Sequence, residues 1–185
     1  MNPRIRLAAA SVADAEALSA AGERLFVQAY SDFSQADDIA AHVGHYFGRD
    51  SVATELQKPG VSYTLAYDAD AIAGFLKIRR GPAPDAVPAA EAVEVQQLYV
   101  DAERQRRGVG RMLMDHAAAT ARDEGYAGIW LSVWQDADWA IGFYEAYGFQ
   151  RVGTAEFWLG RSRFMDYLMW FGRDSEGEGR TETSY

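Results

Sequence analysis

The chain has no cysteine. That excludes a disulfide framework, a cysteine nucleophile and any thiolate metal site, and it suits the reducing cytoplasm, which is the expected location. No apolar run approaches the ~20 residues that a membrane-spanning helix needs. The opening stretch MNPRIRLAAASVADAEAL holds a short apolar patch, but Asp14 and Glu16 interrupt it and it does not read as a signal peptide. Neither export nor membrane insertion is expected. Positive charge is also in deficit: 18 Lys and Arg against 27 Asp and Glu leave a formal net charge of −9. A negative surface repels phosphate backbones, so nucleic acid is not an expected partner. The same charge keeps a protein dissolved and suits cationic partners such as amines. What the chain does have is 185 residues, 49% of them hydrophobic and 13% aromatic, enough for one globular domain with a substantial core.

The patterning alternates between strand and helix signals. Residues 3–9 read as a strand. Ser11 is placed to cap a helix in which Val12, Ala15, Leu18, Ala21, Leu25 and Phe26 recur at helical spacing. A second helix starts near Gln35, and SVATELQKPG forms a third, stopped by Pro59-Gly60. Two β-rich runs flank DADA and predict an antiparallel hairpin. After a proline–alanine loop come a strand (VEVQQLYV), a helix (GVGRMLMDHAAATARDEG), a strand (GIWLSVW), a helix closed by Gly148, and two final strands. The expected class is α/β, a mixed sheet with one central β–α–β crossover. The end of the chain, GRDSEGEGRTETSY, reads as a loose tail.

The segment YVDAERQRRGVGRML concentrates Arg104, Arg106, Arg107 and Arg111 around Gly108 and Gly110, between a strand and a helix. The first N–H groups of a helix lack internal partners and carry the positive end of its dipole. Glycine lets a ligand approach the backbone, and arginines add charge-assisted bonds. Such a turn suits a pyrophosphate. It is not a P-loop, since no Lys-Ser/Thr pair follows, and Leu113 stands where a dinucleotide fingerprint needs its third glycine. A nucleotide-dependent kinase or dehydrogenase is therefore disfavoured.

EVQQLYVDAERQRRGVGRMLM followed by IWLSVWQDADWAIGFYEAYGFQRVG resembles the Gcn5-related N-acetyltransferase (GNAT) superfamily over roughly residues 60–170. FWLG, DYLM, VWQ and ADDIAAHVGHYF resemble its PaiA-like, polyamine-acetylating branch. The resemblance implies a mostly antiparallel central sheet around a β–α–β acetyl-CoA-binding core flanked by helices. It implies a single acetyltransferase domain over residues 1–171, with 172–185 as a flexible acidic tail. It further implies acetyl-CoA as co-substrate, no metal, and a primary amine acceptor, either a small polyamine or a protein lysine or N-terminus. A homodimer through the last strands is a further expectation. The rival reading is a non-catalytic acyl-CoA sensor or interaction module that kept the cradle.

Carried over residue by residue, the resemblance gives the pyrophosphate to the backbone of Gln105, Arg106, Arg107, Gly108, Val109, Gly110 and Arg111. The pantetheine arm falls to the strand end Leu98, Tyr99 and Val100, where an amide near Leu98 can polarise the thioester carbonyl. The strands from 93 and from 128 are expected to splay apart. Tyr144 in GFYEAYGF matches the usual general acid; a phenol near pKa ~10 protonates a thiolate of pKa ~8.5 downhill. An asparagine is common early in the last helix, and Ala137 stands there instead.

An alkylammonium of pKa ~10.4 must lose a proton before it attacks, and Glu94 is the candidate base, with a strand-end salt bridge as its ordinary alternative. Glu91 is a second candidate. Strict alternation puts Glu94, Gln96, Leu98 and Val100 on one face and Val95, Gln97 and Tyr99 on the other. His42 and His45 have helical H-x-x-H spacing but no evident third ligand. Trp130, Trp134 and Trp139 read as core, with an acceptor pocket or a dimer face as alternatives.

Overall fold

A computed structural model describes residues 5–32, 35–159 and 162–172. The elements run β1 (Arg6–Ala9), α1 (Ala15–Tyr30), α2 (Ala36–Tyr46), α3 (Arg49–Glu55), β2 (Val61–Asp68), β3 (Ala71–Pro82), β4 (Glu91–Val100), α4 (Val109–Asp123), β5 (Gly128–Trp134), α5 (Asp138–Tyr147), β6 (Gln150–Leu159) and β7 (Ser162–Gly172). Of the expected tail only Gly172 is described, as the last residue of β7; residues 173–185 lie outside the described residues.

The seven strands form one sheet in the order β1-β2-β3-β4-β5-β7-β6. Every neighbouring pair is antiparallel except β4 and β5, which α4 joins as the central crossover. Parallel neighbours need such a connection because a tight turn cannot reverse the chain direction twice. The β2–β3 hairpin closes over Ala69-Asp70, with Ala69 in the left-handed region at φ 54°. The α5 helix ends at Gly148, also left-handed at φ 117°, whose N–H bonds back to the carbonyls of Tyr144 and Glu145.

Helices cover both faces. The apolar stripe of α4 (Val109, Leu113, Met114, Ala117, Ala121) packs with Ile141 of α5 against Val93, Val95, Ile129, Leu131 and Met169. On the other face Leu18, Leu25 and Phe26 of α1 pack with Val52 of α3 against Tyr63, Leu65 and Phe75. Val12 departs from the expected stripe and is 47% exposed. It lies in a short 3-10 turn before α1, where Ser11 donates from its N–H and its hydroxyl to the Asp14 carboxylate. The tighter turn rotates Val12 off the α1 face.

Candidate active site

The turn before α4 is built from both ends. Asp101 directly follows β4 and is buried; it accepts from Arg24 of α1 at 2.5 Å, from Arg104 at 3.4 Å and from the Glu103 N–H at 3.1 Å. Arg104 also binds Asp68 at 3.1 Å, so this arginine anchors the turn. The Gln105 side-chain amide donates from Nε2 to the Val100 carbonyl at 3.2 Å, tying the turn to the strand end. Arg106 then adopts φ 60° and Gly108 φ 86°. Two left-handed residues in three reverse the chain sharply, and at Gly108 any side chain would strain the backbone. The first N–H to bond backward in α4 is that of Met112, to the Gly108 carbonyl. The amides of Val109, Gly110 and Arg111 precede it and have no helical partner. Helices α1, α2, α3 and α5 carry an acid in the first turn; α4 carries none. Its positive end is therefore left for an external anion. Arg106 and Arg107 are exposed and make no ion pair among the described residues. Arg111 faces Asp115 at 3.9 Å and lies over the Tyr147 ring.

Beside this turn the sheet opens. β4 and β5 pair only at Val93↔Ile129 and Glu94↔Trp130. Beyond that β4 follows β3 to Gly74↔Val100, while β5 follows β7 to Trp134↔Asp166. A wedge-shaped notch results, as the family resemblance implies, bounded by Gln97–Val100 on one side and by the end of β5 on the other. Its cause is visible in the register. Lys77 pairs with Gln97 but Ile78 with Val95, so Gln96 is an extra residue in β4, a β-bulge. The bulge corrects the expected alternation. Val93, Val95, Leu98 and Val100 all pack toward α4, whereas Glu94, Gln97 and Tyr99 face α1–α3. Glu94 thus does not share a face with Leu98 and Val100.

Three tyrosines meet across the notch. Tyr99 of β4 shares a side-chain hydrogen bond with Tyr30, the last residue of α1. Tyr144 of α5 interacts electrostatically with both, and its ring packs between Phe143 and Phe149. Burial raises the pKa of all three, and for Tyr144 the neighbouring Tyr30 adds to the rise. Each is a fully protonated phenol at neutral pH, able to donate.

The sequence and the fold are both matched in known proteins. Residues 19–149 match the Acetyltransferase (GNAT) family. The chain belongs to that family. An uncharacterized N-acetyltransferase of Mycobacterium bovis is 31% identical over 156 residues, 84% of this chain and 96% of the relative. One of Lactobacillus delbrueckii subsp. lactis is 25% identical over 166 residues, 89% and 95% of the two chains. Among solved structures, the PaiA N-acetyltransferase of Thermoplasma acidophilum, in complex with coenzyme A, superposes with a TM-score of 0.75 at 17% identity, over 91% of this chain and 99% of that one. Arabidopsis thaliana NAA60, in complex with acetyl-CoA, reaches 0.66 at 15% identity over 92% and 99%. This GNAT chain is therefore an acetyltransferase with the family's sheet.

Within the acetyltransferase the expected site residues divide. Leu98, Tyr99 and Val100, the turn 105–111 and Tyr144 gather around the notch and its rim. Glu94 faces the α1–α3 side, where Arg79 donates to it at 2.7 Å. Glu91 is exposed at the far end of β4, opposite Pro82. Ala137 is buried as the N-cap of α5, with Asp136 and Asp138 exposed on either side. Trp130 is buried, Trp134 half-buried and Trp139 53% exposed. His42 stacks on Phe26 at 4.3 Å, and burial with His45 nearby lowers its pKa to about 4, so it is neutral. Among the described residues no group of three or more His, Asp or Glu could hold a metal, and no helix is long and apolar enough to cross a membrane. The sequence reading missed Tyr30 and Asp166. A lone carboxylate in the buried run FMDYLMWF was the available signal for the second.

Proposed function

We propose that this acetyltransferase moves an acetyl group from acetyl-CoA to a primary amine by direct attack, with both substrates bound together. The observation that carries the reading is the α4 turn: partnerless amides and a left-handed Gly108 open directly beside the notch that Tyr144 lines. The residues fit the coenzyme. A Cβ at Gly108 would meet nothing within 4 Å, so the turn is open there, and one at Gly110 would make ordinary contact with Phe143 at 3.4 Å and Val100 at 3.7 Å. The names of the solved neighbours, one with coenzyme A and one with acetyl-CoA, support the same ligand.

In this reading the amides of residues 106–111 hold the diphosphate, the Gln105 N–H being turned to the Ala102 carbonyl at 3.4 Å, and Arg106 and Arg107 add charge. The free edge of β4 from Leu98 to Val100 pairs with the pantetheine arm as an added strand would. An N–H near Leu98 polarises the carbonyl. Tyr144 donates its proton to the departing sulfur. Its raised pKa keeps it protonated until a thiolate, of pKa ~8.5, forms beside it. Glu94 is held by Arg79 and serves the site as one half of an ion pair. Ala137 offers the coenzyme no side-chain amide, so affinity rests on the turn and the strand edge.

The test is release of free thiol from acetyl-CoA with a panel of primary amines, read beside the mass gain of the amine. Amine-dependent release supports the reading. Stabilisation by coenzyme A with no turnover on any amine would make the chain a sensor. No response to coenzyme A at all would remove the reading.

A further inference from the structure

Three buried side-chain polar atoms have no hydrogen-bond partner among the described residues: Gln97 Oε1, Trp130 Nε1 and Asp166 Oδ1. They come from three adjacent strands, β4, β5 and β7, and all lie on the α1–α3 side of the sheet. Unpaired buried polar groups are costly and rare, so each calls for a reason. Asp166 is the most demanding of them. Its residue is 6% exposed, yet it is a carboxylate. Ser132, an exposed residue of β5, hydrogen-bonds to it, so the carboxylate lies just below an open surface at the notch. Tyr30 senses its charge from α1. Burial lifts the Asp166 carboxyl above its usual range.

Among the described residues no cation pairs with Asp166. Arg79 is taken by Glu94 at 2.7 Å and Lys77 by Glu55 at 2.8 Å. Rings surround the approach. Phe164, two residues along β7, meets Trp134 edge-on at 5.5 Å and Phe157 at 6.5 Å, and it packs into the same cluster as Tyr30 and Tyr99. A single buried anion at the end of an aromatic wall suits one ammonium group on an apolar body, since the ring faces also attract a cation. A polyamine would need further unpaired anions, and no second unpartnered buried carboxylate is present among the described residues.

Resting on the acetyltransferase reading above, we propose that Asp166 receives the acceptor's ammonium group and takes its proton, and that the acceptor is a primary amine with one positive charge on an apolar or aromatic body. The ammonium gives one N–H proton to Asp166 Oδ1, which leaves the nitrogen its lone pair. That pair forms the C–N bond to the acetyl carbon as the C–S bond breaks toward sulfur. The sulfur takes a proton from Tyr144, and the second nitrogen proton returns to Tyr144 through the notch. Asp166 then releases its proton to water. The balance is one ammonium and one thioester in, one amide, one thiol and one proton out.

The test compares 2-phenylethylamine with spermidine on the wild-type enzyme, then repeats the better amine with Asp166→Asn, following coenzyme A affinity in parallel. The expected wild-type preference is for 2-phenylethylamine by at least about tenfold in kcat/KM. Asp166→Asn should lower kcat/KM for the amine by about 100-fold while the coenzyme A Kd stays within about twofold, a split that a merely structural role would not produce. A preference for spermidine overturns the proposal, even if the variant does not fold. So does an Asp166→Asn enzyme within about threefold of wild type. In either case the acetyltransferase reading stands, because an amine has been acetylated. Turnover of no amine removes both.

Discussion

On the α4–α5 side of the sheet the strands contribute an apolar core, and polar groups gather at the rim, in the backbone of the α4 turn and the hydroxyl of Tyr144. On the α1–α3 side the strands bury charge. Lys77 and Asp166 are both about 5–6% exposed there, and the three partnerless polar atoms lie there too. The first face relies on main-chain donors and, beyond Tyr144 of α5, on apolar packing that need only hold the turn. The second uses side chains whose identity matters, and the proposed selectivity for one acceptor rests on them. The notch between β4 and β5 is the passage between them, and Tyr144 meets Tyr30 and Tyr99 across it.

Four substitutions probe that division. The largest effect is expected at the turn: Gly108→Trp forces a side chain onto φ 86° in front of the donors and should weaken coenzyme A by about 1000-fold by calorimetry, with the fold retained. Comparable loss of secondary structure by circular dichroism would instead make Gly108 a folding residue. Next, Tyr144→Phe should lower kcat by about 100-fold and leave coenzyme A affinity almost unchanged, the mark of lost proton transfer. Unchanged kcat would take the acid role from Tyr144.

The α1–α3 face gives smaller effects. Glu55→Ala leaves Lys77 buried without its partner and should cost about 2 kcal/mol in denaturant unfolding, below the range for fully buried pairs because the Glu55 side chain is 23% exposed. An unchanged midpoint would show that Lys77 finds another anion. The smallest effect is at His42. Its native pKa of about 4 lies below the ordinary 6.5, so between these values the unfolded chain binds a proton that the native chain refuses. Stability from this group is full above pH ~6.5 and falls as pH drops toward ~4. His42→Phe should flatten that part of the wild-type pH–stability curve; identical curves would mean that His42 titrates normally.

The same division explains what could be read in the sequence. The α4 turn is a local feature: two glycines, a strand before and a helix after are enough to infer partnerless amides. The crossover and the hairpin at DADA follow from similar local signals, whereas the splay of β4 from β5 is implied only by the family resemblance. The faces of β4 did not, because the bulge at Gln96 depends on how β3 pairs with it, and a one-residue insertion inverts every side chain beyond. Glu94 therefore looked like a neighbour of Leu98 and is instead held by Arg79, fifteen positions earlier. Asp166 was hidden for another reason. In RFMDYLMWF it passes as the polar half of an alternating strand, and only the sheet order shows that neighbours on both sides bury it.

The account depends most on the α4 turn gripping a diphosphate. Backbone 15N–1H spectra recorded while acetyl-CoA is added measure this directly. Large downfield shifts of the Arg106 to Arg111 amide protons, saturating with the same Kd as the enzyme's overall binding, are the expected result. Binding that saturates while those amides stay unmoved would contradict it.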